Sequence, residues 1–284
     1  MEVIIGKMAG FCPGVEKAVK KAEEALETRD TVYCLGEIVH NKQVVQALEN
    51  KGMITVESLE EVPNGSTVLF RAHGEAEKVY EEANKKNLEV LDATCGKVLA
   101  IHKKVEKEKE DSFIIVLGKN KHPEVIGTIG FSGENSFVVE NEDDILDAYM
   151  KYELTDLGRV YVVAQTTISS KYFDFLASEI EKEFYEAEVC IDKTVCFATE
   201  VRQKETAEMA ENFHTMIIIG GKNSSNTKEL AKIAEEKCKK VYLVETVDEI
   251  RNIDFSKIEK IGIMAGASTS KEAINEVKEY LESM

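Results

Sequence analysis

The sequence predicts an α/β fold in which three similar parallel-sheet domains form a pseudo-threefold ring around a central cavity. Three observations support this. Runs rich in β-branched residues alternate with amphipathic helical runs along all 284 residues, which is typical of βαβ units. The same order of runs recurs three times. The third copy lacks its last strand, and the N-terminal run EVIIG can supply it, which closes the ring.

Each copy starts from a lone cysteine at a strand-to-helix junction. Cys12 follows EVIIGKMAGF, Cys95 follows LEVLDAT, and Cys196 follows EVCIDKTV. A long stretch with apolar residues at helical spacing comes after each cysteine. The predicted domains are residues 13–95, 96–193 and 194–284, the last completed by the N-terminal strand in residues 1–12.

Within each copy the remaining elements follow in a fixed order. The first helix leads into a strand that ends at glycine: TVYCLG, SFIIVLG and TMIIIGG. A second helix and a second strand follow: MITVES, SFVVEN and KVYLVET. The third strands are TVLF, RVYVVA and KIGIMA, and a last helix closes each copy. Because ligands bind at the carboxyl ends of parallel strands, the polar clusters after these strands are candidate site residues.

Composition limits the function classes. The net charge of −17, without a Lys/Arg-rich patch, argues against nucleic-acid binding. No run is long and apolar enough for a membrane helix, and the first residues lack the features of a signal peptide. We expect a cytoplasmic protein whose six cysteines are not a disulfide framework. Cys34 and Cys190 are predicted inside strands and Cys238 inside a helix, where burial is their expected role.

The three junction cysteines predict a metal centre. A single cytosolic cysteine is more often buried filler than a ligand, but an equivalent place in three copies reverses that judgement for Cys12, Cys95 and Cys196. Three converging thiolates suit an iron–sulfur cluster or zinc. A [4Fe–4S] cluster held by three cysteines leaves one iron open for a substrate and also transfers electrons.

The polar clusters predict an anion site. Histidine, serine and asparagine side chains at strand ends and helix starts can donate hydrogen bonds to an anion, although each alone is equally well explained as a helix cap or a surface hydrogen bonder. So many donors favour a diphosphate. The candidates are His40, His73, His122, Ser224, Ser225, Asn226 and Ser268.

Two further residues are candidates for proton transfer. Glu124 lies two residues after His122 and can act as a proton donor, or simply favour the helix start as a first-turn carboxylate. Thr166, in the run AQTTIS, can orient a hydroxyl or cap the next helix.

The motifs GFCPGV, EIVHN, AHG, DATC, HPEV, AQTT, KNSSN and GAST together resemble the LytB/IspH family of 4-hydroxy-3-methylbut-2-enyl diphosphate reductases. The resemblance extends from about residue 10 to residue 270. It implies a trefoil-like monomer around a [4Fe–4S] cluster, and an iron–sulfur reductase that removes the substrate hydroxyl to give isopentenyl and dimethylallyl diphosphate. This is the last step of the non-mevalonate isoprenoid pathway.

The resemblance also implies roles for individual residues and a partner. Cys12, Cys95 and Cys196 would hold three irons, Glu124 would deliver the proton that releases water, and Thr166 would help to orient the hydroxyl. The electron donor would be ferredoxin or flavodoxin. The diphosphate would be bound by His40, His73, His122, Ser224, Ser225, Asn226 and Ser268.

Two departures and two alternatives remain open from the sequence. Gly96 stands where the family often has proline, and Glu75 stands where an apolar residue is usual, so its side chain should point away from the anion. One alternative is another three-cysteine [4Fe–4S] enzyme, similar to quinolinate synthase. The other is a non-redox protein that binds a phosphorylated metabolite, which would not need three equivalent cysteines.

Overall fold

A computed structural model describes residues 1–284, which form twelve strands in three sheets. The first strand is β1 (Glu2–Ile5), and each sheet has four parallel strands. Sheet I contains β2 (Val32–Leu35), β3 (Met53–Val56), β4 (Thr67–Phe70) and β5 (Glu89–Asp92). Sheet II contains β6 (Phe113–Leu117), β7 (Ser136–Val139), β8 (Arg159–Ala164) and β9 (Glu188–Ile191). Sheet III contains β10 (Thr215–Ile219), β11 (Lys240–Val244), β12 (Lys260–Ala265) and β1.

The three sheets have one topology. Their strand orders are β3-β2-β4-β5, β7-β6-β8-β9 and β11-β10-β12-β1. Strand β1 thus takes the place in sheet III that β5 and β9 take in the other two sheets. It pairs in parallel with β12, from Glu2 opposite Lys260 to Ile5 opposite Ile263. The predicted threefold repeat and its completion by the N-terminal strand are confirmed.

Ten α-helices connect the strands, as the alternating pattern predicts. They are α1 (Pro13–Thr28), α2 (Lys42–Glu49), α3 (Glu77–Lys85), α4 (Gly96–Glu108), α5 (Pro123–Ile129), α6 (Asp144–Tyr152), α7 (Ser170–Glu183), α8 (Phe197–Asn212), α9 (Ser225–Glu235) and α10 (Lys271–Glu282). Short 3₁₀ turns at Leu59–Glu61 and Val247–Ile250 replace the helix before β4 and before β12. None of the helices combines the length and apolar character needed to cross a bilayer.

The central strands are buried on both faces, which explains their continuous apolar sequences. All five residues of β6 and all five of β10 are buried. Helices cover both faces of such parallel sheets, so side chains pointing either way must be apolar. Around β6, for example, one face packs with Phe173 and Ile180 of α7, and the other with Ile101 of α4.

The chain falls into two compact units. Residues 1–16, 39–51 and 197–284 form one unit, and residues 17–38 and 52–196 form the other. Sheet III lies in the first unit, and sheets I and II lie in the second. These units do not follow the predicted boundaries 13–95, 96–193 and 194–284, which therefore stay a prediction, although each sheet keeps its consecutive strands inside one of those ranges.

The prediction that Cys238 lies inside a helix was wrong. Helix α9 ends at Glu235, and Cys238 lies in the short connection to β11 with its thiol near the carbonyl of Lys240. The run EEKCKK has neither glycine nor proline to mark a helix end. The predicted positions of Cys34 in β2 and Cys190 in β9 are confirmed.

The start of α4 has a backbone that suits a proline at position 96. Gly96 is the first helical residue, where the N–H has no partner inside the helix. Cys95 has φ −58° and ψ 132°, the region to which a following proline restricts a residue. A Cβ on Gly96 would meet no atom within 4 Å.

We therefore expect Gly96→Pro to stabilise the apoprotein by ~0.4–1 kcal/mol, because it removes conformational freedom from the unfolded chain. Thermal unfolding should shift upward by about 1–3 °C. Gly96→Ala is the matched control, since it adds a Cβ without fixing φ, and it should give a smaller shift. A lower unfolding temperature for Gly96→Pro would show that this helix start is strained.

Candidate active site

The three junction cysteines have the same backbone setting. In each case the cysteine amide donates to the carbonyl of the second residue beyond the neighbouring strand. The three bonds are Cys12 to Ala267 (3.1 Å) after β12, Cys95 to Ala72 (3.0 Å) after β4, and Cys196 to Thr166 (3.0 Å) after β8. A helix begins at the next residue in every case. The equivalence predicted from sequence therefore extends to single hydrogen bonds.

The thiols are suited to a metal centre. Cys12, Cys95 and Cys196 are half-buried, and no cysteine of the chain is in a disulfide. The amide of Val15, in the first turn of α1, donates to the Cys12 sulfur at 3.5 Å. Soft thiolate ligands select iron–sulfur clusters or zinc over hard cations, so the donor set fits the predicted cluster.

Glu124 and Thr166 form a hydrogen-bonded pair at the end of sheet II. Helix α5 places the Glu124 carboxyl so that Oε1 accepts from the Thr166 backbone N–H at 2.6 Å. Oε2 accepts from the Thr166 hydroxyl at 2.9 Å. Both side chains are buried. The Thr166 backbone N–H can only donate, so Oε1 stays an acceptor, whereas the Thr166 hydroxyl can either donate to Oε2 or accept the acid hydrogen from it.

The environment of Glu124 keeps its proton near neutral pH. Burial raises the pKa of the Glu124 carboxyl to about 7, and the two hydrogen bonds from Thr166 oppose this without overcoming it. A carboxyl with a pKa close to the working pH is suited to donate a proton. The pair thus has the properties predicted for a proton donor and its orienting neighbour.

His122 and His73 lie together in the same unit. His122 precedes α5 as its N-cap, and its Nδ1 accepts from the Glu124 backbone N–H at 3.2 Å. Nδ1 therefore carries no proton in this arrangement, which leaves Nε2 as the N–H donor. The His73 ring stands edge-on to His122, with ring centroids 5.5 Å apart. The structure thus brings two of the predicted anion-binding histidines side by side.

A third histidine, His102, packs against the backbone next to His73. His102 of α4 is buried, stacks on Phe131 at 4.6 Å, and has no hydrogen-bond partner on either ring nitrogen. Burial lowers the pKa of His102 to about 4, so the ring is neutral. Gly74, next to His73, has φ +78°, and a Cβ there would lie 2.8 Å from the His102 ring. The ring and the glycine therefore fix the backbone that carries His73.

In the other unit, the loops after β10 and β12 converge on His40. The Ser268 hydroxyl donates to the His40 carbonyl at 3.2 Å. A Cβ on Gly221 would lie 2.4 Å from the same oxygen, so only glycine fits there. His40 is followed by Asn41, whose side chain caps α2 by accepting from the amides of Gln43 and Val44. Sequence-distant candidates thus share one loop cluster.

The start of α9 contains an unsatisfied amide. Ser224 is the N-cap and accepts from the Thr227 amide at 3.3 Å, which confirms the predicted capping role. Ser225 is the first helical residue and is partly exposed. Asn226 is buried, yet neither atom of its side-chain amide has a partner. Buried amides are nearly always hydrogen-bonded, so an unpaired one beside a helix N-terminus is suited to an anion.

Glu75 is paired with Arg71. The Arg71 Nε donates to Glu75 Oε1 at 2.7 Å, across the turn that contains His73. Burial raises the pKa of Glu75, since it outweighs the attraction of Arg71. The side chains are 20% and 8% exposed, so the ion pair is well shielded from water. The negative charge of Glu75 is thus balanced by the positive charge of Arg71 in the same loop.

We expect Arg71→Met to destabilise the protein by about 1–3 kcal/mol, because it leaves the buried Glu75 carboxyl without its donor. The double variant Arg71→Met/Glu75→Val should recover most of this loss, since it removes both polar partners. Chemical denaturation measures the free energy of unfolding of the parent chain, of the single variants Arg71→Met and Glu75→Val, and of the double variant. Glu77→Gln, on the exposed face of α3, is the control. Additive effects of the two single changes would show that the pair is not coupled.

Sequence reasoning missed three groups that shape the site. His102 reads as part of an amphipathic helix, and only its packing on Phe131 and Gly74 reveals a role. Glu75 was noted from the sequence, but its partner Arg71 was not, because it looks like an ordinary loop charge. Arg202 and Glu205 of α8 contact the segment before Cys12.

Comparison with known proteins places these features in a family. The family model described as LytB protein matches residues 3–282. A protein of Aquifex aeolicus (strain VF5) named 4-hydroxy-3-methylbut-2-enyl diphosphate reductase is 40% identical, with 100% of this chain and 97% of that protein covered. A protein of the same name from Clostridioides difficile (strain 630) is 37% identical over the whole of both chains.

Solved structures agree. The structure of the E-1-hydroxy-2-methyl-but-2-enyl-4-diphosphate reductase from Plasmodium falciparum matches with a TM-score of 0.89 and 29% identity, covering 99% of this chain and 87% of that one. A second structure, of (E)-4-hydroxy-3-methyl-but-2-enyl diphosphate reductase, described as the terminal enzyme of the non-mevalonate pathway, has a TM-score of 0.73 and 39% identity, with full coverage of both chains. The similarity therefore covers all three sheets.

Proposed function

The chain belongs to the LytB protein family, and we propose that it reduces 4-hydroxy-3-methylbut-2-enyl diphosphate to isopentenyl diphosphate and dimethylallyl diphosphate. This is the last step of the non-mevalonate isoprenoid pathway. The observation that carries the proposal is the identical backbone setting of Cys12, Cys95 and Cys196 at three strand-to-helix junctions. Neither a quinolinate synthase-like enzyme nor a simple metabolite-binding protein accounts for both this setting and the family match.

Cys12, Cys95 and Cys196 are the residues that would hold a [4Fe–4S] cluster. Such a cluster, when bound, supplies the electrons and offers one iron without a thiolate to the substrate oxygen. The half-buried thiols and the absence of disulfides support this ligand set. Ferredoxin or flavodoxin is the proposed electron donor, and the chain acts as a monomer.

The diphosphate is bound by hydrogen-bond donors that lie after strands and at helix starts. The unpaired, buried Asn226 amide supports this role most directly. Neutral donors and a helix N-terminus bind an anion without adding positive charge to a strongly acidic protein. The proposed set is His40, His73, His122, Ser224, Ser225, Asn226 and Ser268.

Glu124 donates a proton to the leaving hydroxyl, which departs as water. The reaction consumes two electrons and two protons, and the second proton adds to either end of the allylic system to give the two products. Thr166 holds the Glu124 carboxyl by two hydrogen bonds, which fix the orientation of the acid. Burial of both side chains keeps competing water from the proton.

The direct test is turnover of 4-hydroxy-3-methylbut-2-enyl diphosphate by the anaerobically purified chain, with a chemical reductant and identification of the products. We expect a brown protein that forms both isopentenyl and dimethylallyl diphosphate. The same protein assayed without reductant should form neither. An iron-loaded chain that leaves this substrate unchanged under reducing conditions would contradict the proposal.

A further inference from the structure

The segment that leads to Cys12 has no regular secondary structure. Strand β1 ends at Ile5, and α1 begins at Pro13, so residues 6–12 form a turn and a bend between them. Gly10 has φ +102°, a conformation that side-chain-bearing residues rarely adopt. A loop of this kind needs outside contacts to hold one conformation, and the contacts come from helix α8.

Two side chains of α8 bind this loop through its backbone. The Glu205 carboxylate accepts from two successive amides, Lys7 at 2.7 Å and Met8 at 2.8 Å. Arg202 donates to two carbonyls, Met8 by Nε at 2.9 Å and Gly10 by Nη2 at 2.8 Å. We call these four bonds the α8 clamp.

The α8 clamp explains why the first part of α8 buries polar side chains. The buried face of this helix begins with polar residues, and Arg202 is only 1% exposed. Burying a guanidinium is costly unless its hydrogen bonds are satisfied. A helix that served only to cover sheet III would present apolar side chains there, as it does further along at Met209 and Ala210. The polar side chains at the start of α8 therefore serve to bind the loop before Cys12.

The α8 clamp binds amide and carbonyl groups of the loop close to Cys12. Gly10, the last residue it binds, lies two residues before Cys12. The Cys12 amide is held separately by the Ala267 carbonyl. Arg202 binds Met8 and Gly10, and the loop after β12 binds the Cys12 amide, so the direction of the Cys12 Cα–Cβ bond is set by the backbone before any ligand binds.

We propose that Arg202 and Glu205 are positioning residues that preorganise Cys12 as a metal ligand. This inference rests on the proposed function, because it takes Cys12 to be a cluster ligand. Both residues act through the loop backbone and not by touching the cluster or the substrate. Their loss should therefore be visible in the apoprotein, independent of activity.

The test compares Glu205→Gln and Arg202→Lys with the parent chain, full-length and metal-free. Glutamine keeps the size of Glu205 but offers one acceptor where the carboxylate offers two, and lysine keeps the charge of Arg202 but cannot span two carbonyls. Glu208→Gln is the matched control, since Glu208 lies on the exposed face of the same helix. Three quantities are measured: amide hydrogen exchange of Lys7 and Met8, alkylation of Cys12 by iodoacetamide, and iron bound after anaerobic reconstitution with ferrous iron and sulfide.

We expect Glu205→Gln to speed exchange of these two amides by about tenfold or more, since bonds to charged groups are the stronger ones. Alkylation of Cys12 should accelerate and iron uptake should fall, while Glu208→Gln matches the parent. Unchanged exchange and alkylation in Glu205→Gln would overturn the clamp, even if Arg202→Lys did not fold. Faster exchange with normal iron uptake would overturn its positioning role.

The proposed function is judged separately in the same experiment by Cys12→Ser. If the parent and Cys12→Ser take up the same iron, the ligand assignment fails, while the exchange and alkylation rates still decide the clamp. If Cys12→Ser loses iron but Glu205→Gln does not, only the positioning inference fails.

Discussion

Serine at position 12, 95 or 196 is expected to abolish reductive turnover and to lower iron content well below that of the parent chain. Each cysteine occupies the same backbone position at its own sheet, so no junction is redundant. We expect turnover to fall by at least about 100-fold in each variant, since residues that merely support metal ligands are already worth about 10–100-fold in affinity or activity. Iron and sulfide analysis of anaerobically purified protein, together with the visible spectrum, measures the effect.

Cys238→Ser is the matched control for this series. Cys238 is buried in the connection before β11, and its thiol contacts the Lys240 carbonyl. A serine hydroxyl at this position can donate a hydrogen bond to the same carbonyl. This variant should keep both cluster and turnover. Full iron content and turnover in all three junction variants would end the ligand assignment.

The second large effect concerns the proton. We expect Glu124→Gln to lower kcat by roughly 10²–10⁴-fold, the usual contribution of a general acid, with little change in substrate binding. Glutamine has the same shape, and its carbonyl oxygen still accepts from the Thr166 amide, so the loop should stay in place. Steady-state kinetics under anaerobic reduction measures the loss. Glu134→Gln, the same change at an exposed position, should leave kcat unaltered.

The pH profile of the parent enzyme follows from the same residue. The pKa of Glu124 is raised to about 7, and the protonated form is the donor, so kcat should decline as pH rises through about 7. This decline of kcat as pH rises through about 7 should be absent in Glu124→Gln. A profile that is flat between about pH 6 and 8 in the parent, or a near-parental rate in the variant, would remove Glu124 from the mechanism.

The raised pKa also has a consequence for stability. The folded protein holds the Glu124 proton up to about pH 7, whereas an unfolded glutamate releases it near its ordinary pKa of 4.5. Between these values the folded state binds more protons, so this residue's contribution to stability is complete below about pH 4.5 and is lost as pH rises towards 7. The site thus keeps a carboxyl that favours catalysis at some expense of stability.

The architecture was predictable because its signals are local and repeated. Strands buried on both faces must be continuously apolar, so β6 and β10 are visible as β-branched runs. A cysteine at the same junction in three copies is evident without any coordinates. Even the missing strand could be assigned to β1, because a sheet with the same order of elements needs a fourth strand in that place.

The parts that escaped prediction depend on partners distant in sequence or on chain geometry at loops. The neutrality of His102 results from its burial beside Phe131, which the α4 sequence does not contain. The pair Arg71 and Glu75 has the four-residue spacing of a helix but meets across a turn. The polar face of α8 has meaning only beside the loop before Cys12. Cys238 was misplaced because nothing in its sequence ends the helix.

The parallel pairing of β1 with β12 also sets an order of assembly. Strand β1 is separated in the chain from its only strand partner, residues 260–265, by the ten strands β2 to β11. Pairing over so long a separation is slow, and an edge without its neighbour is prone to aggregation. The loop that carries Cys12 takes its final conformation only when sheet III closes. Loading of any metal centre that uses this cysteine therefore follows the pairing of β1 with β12.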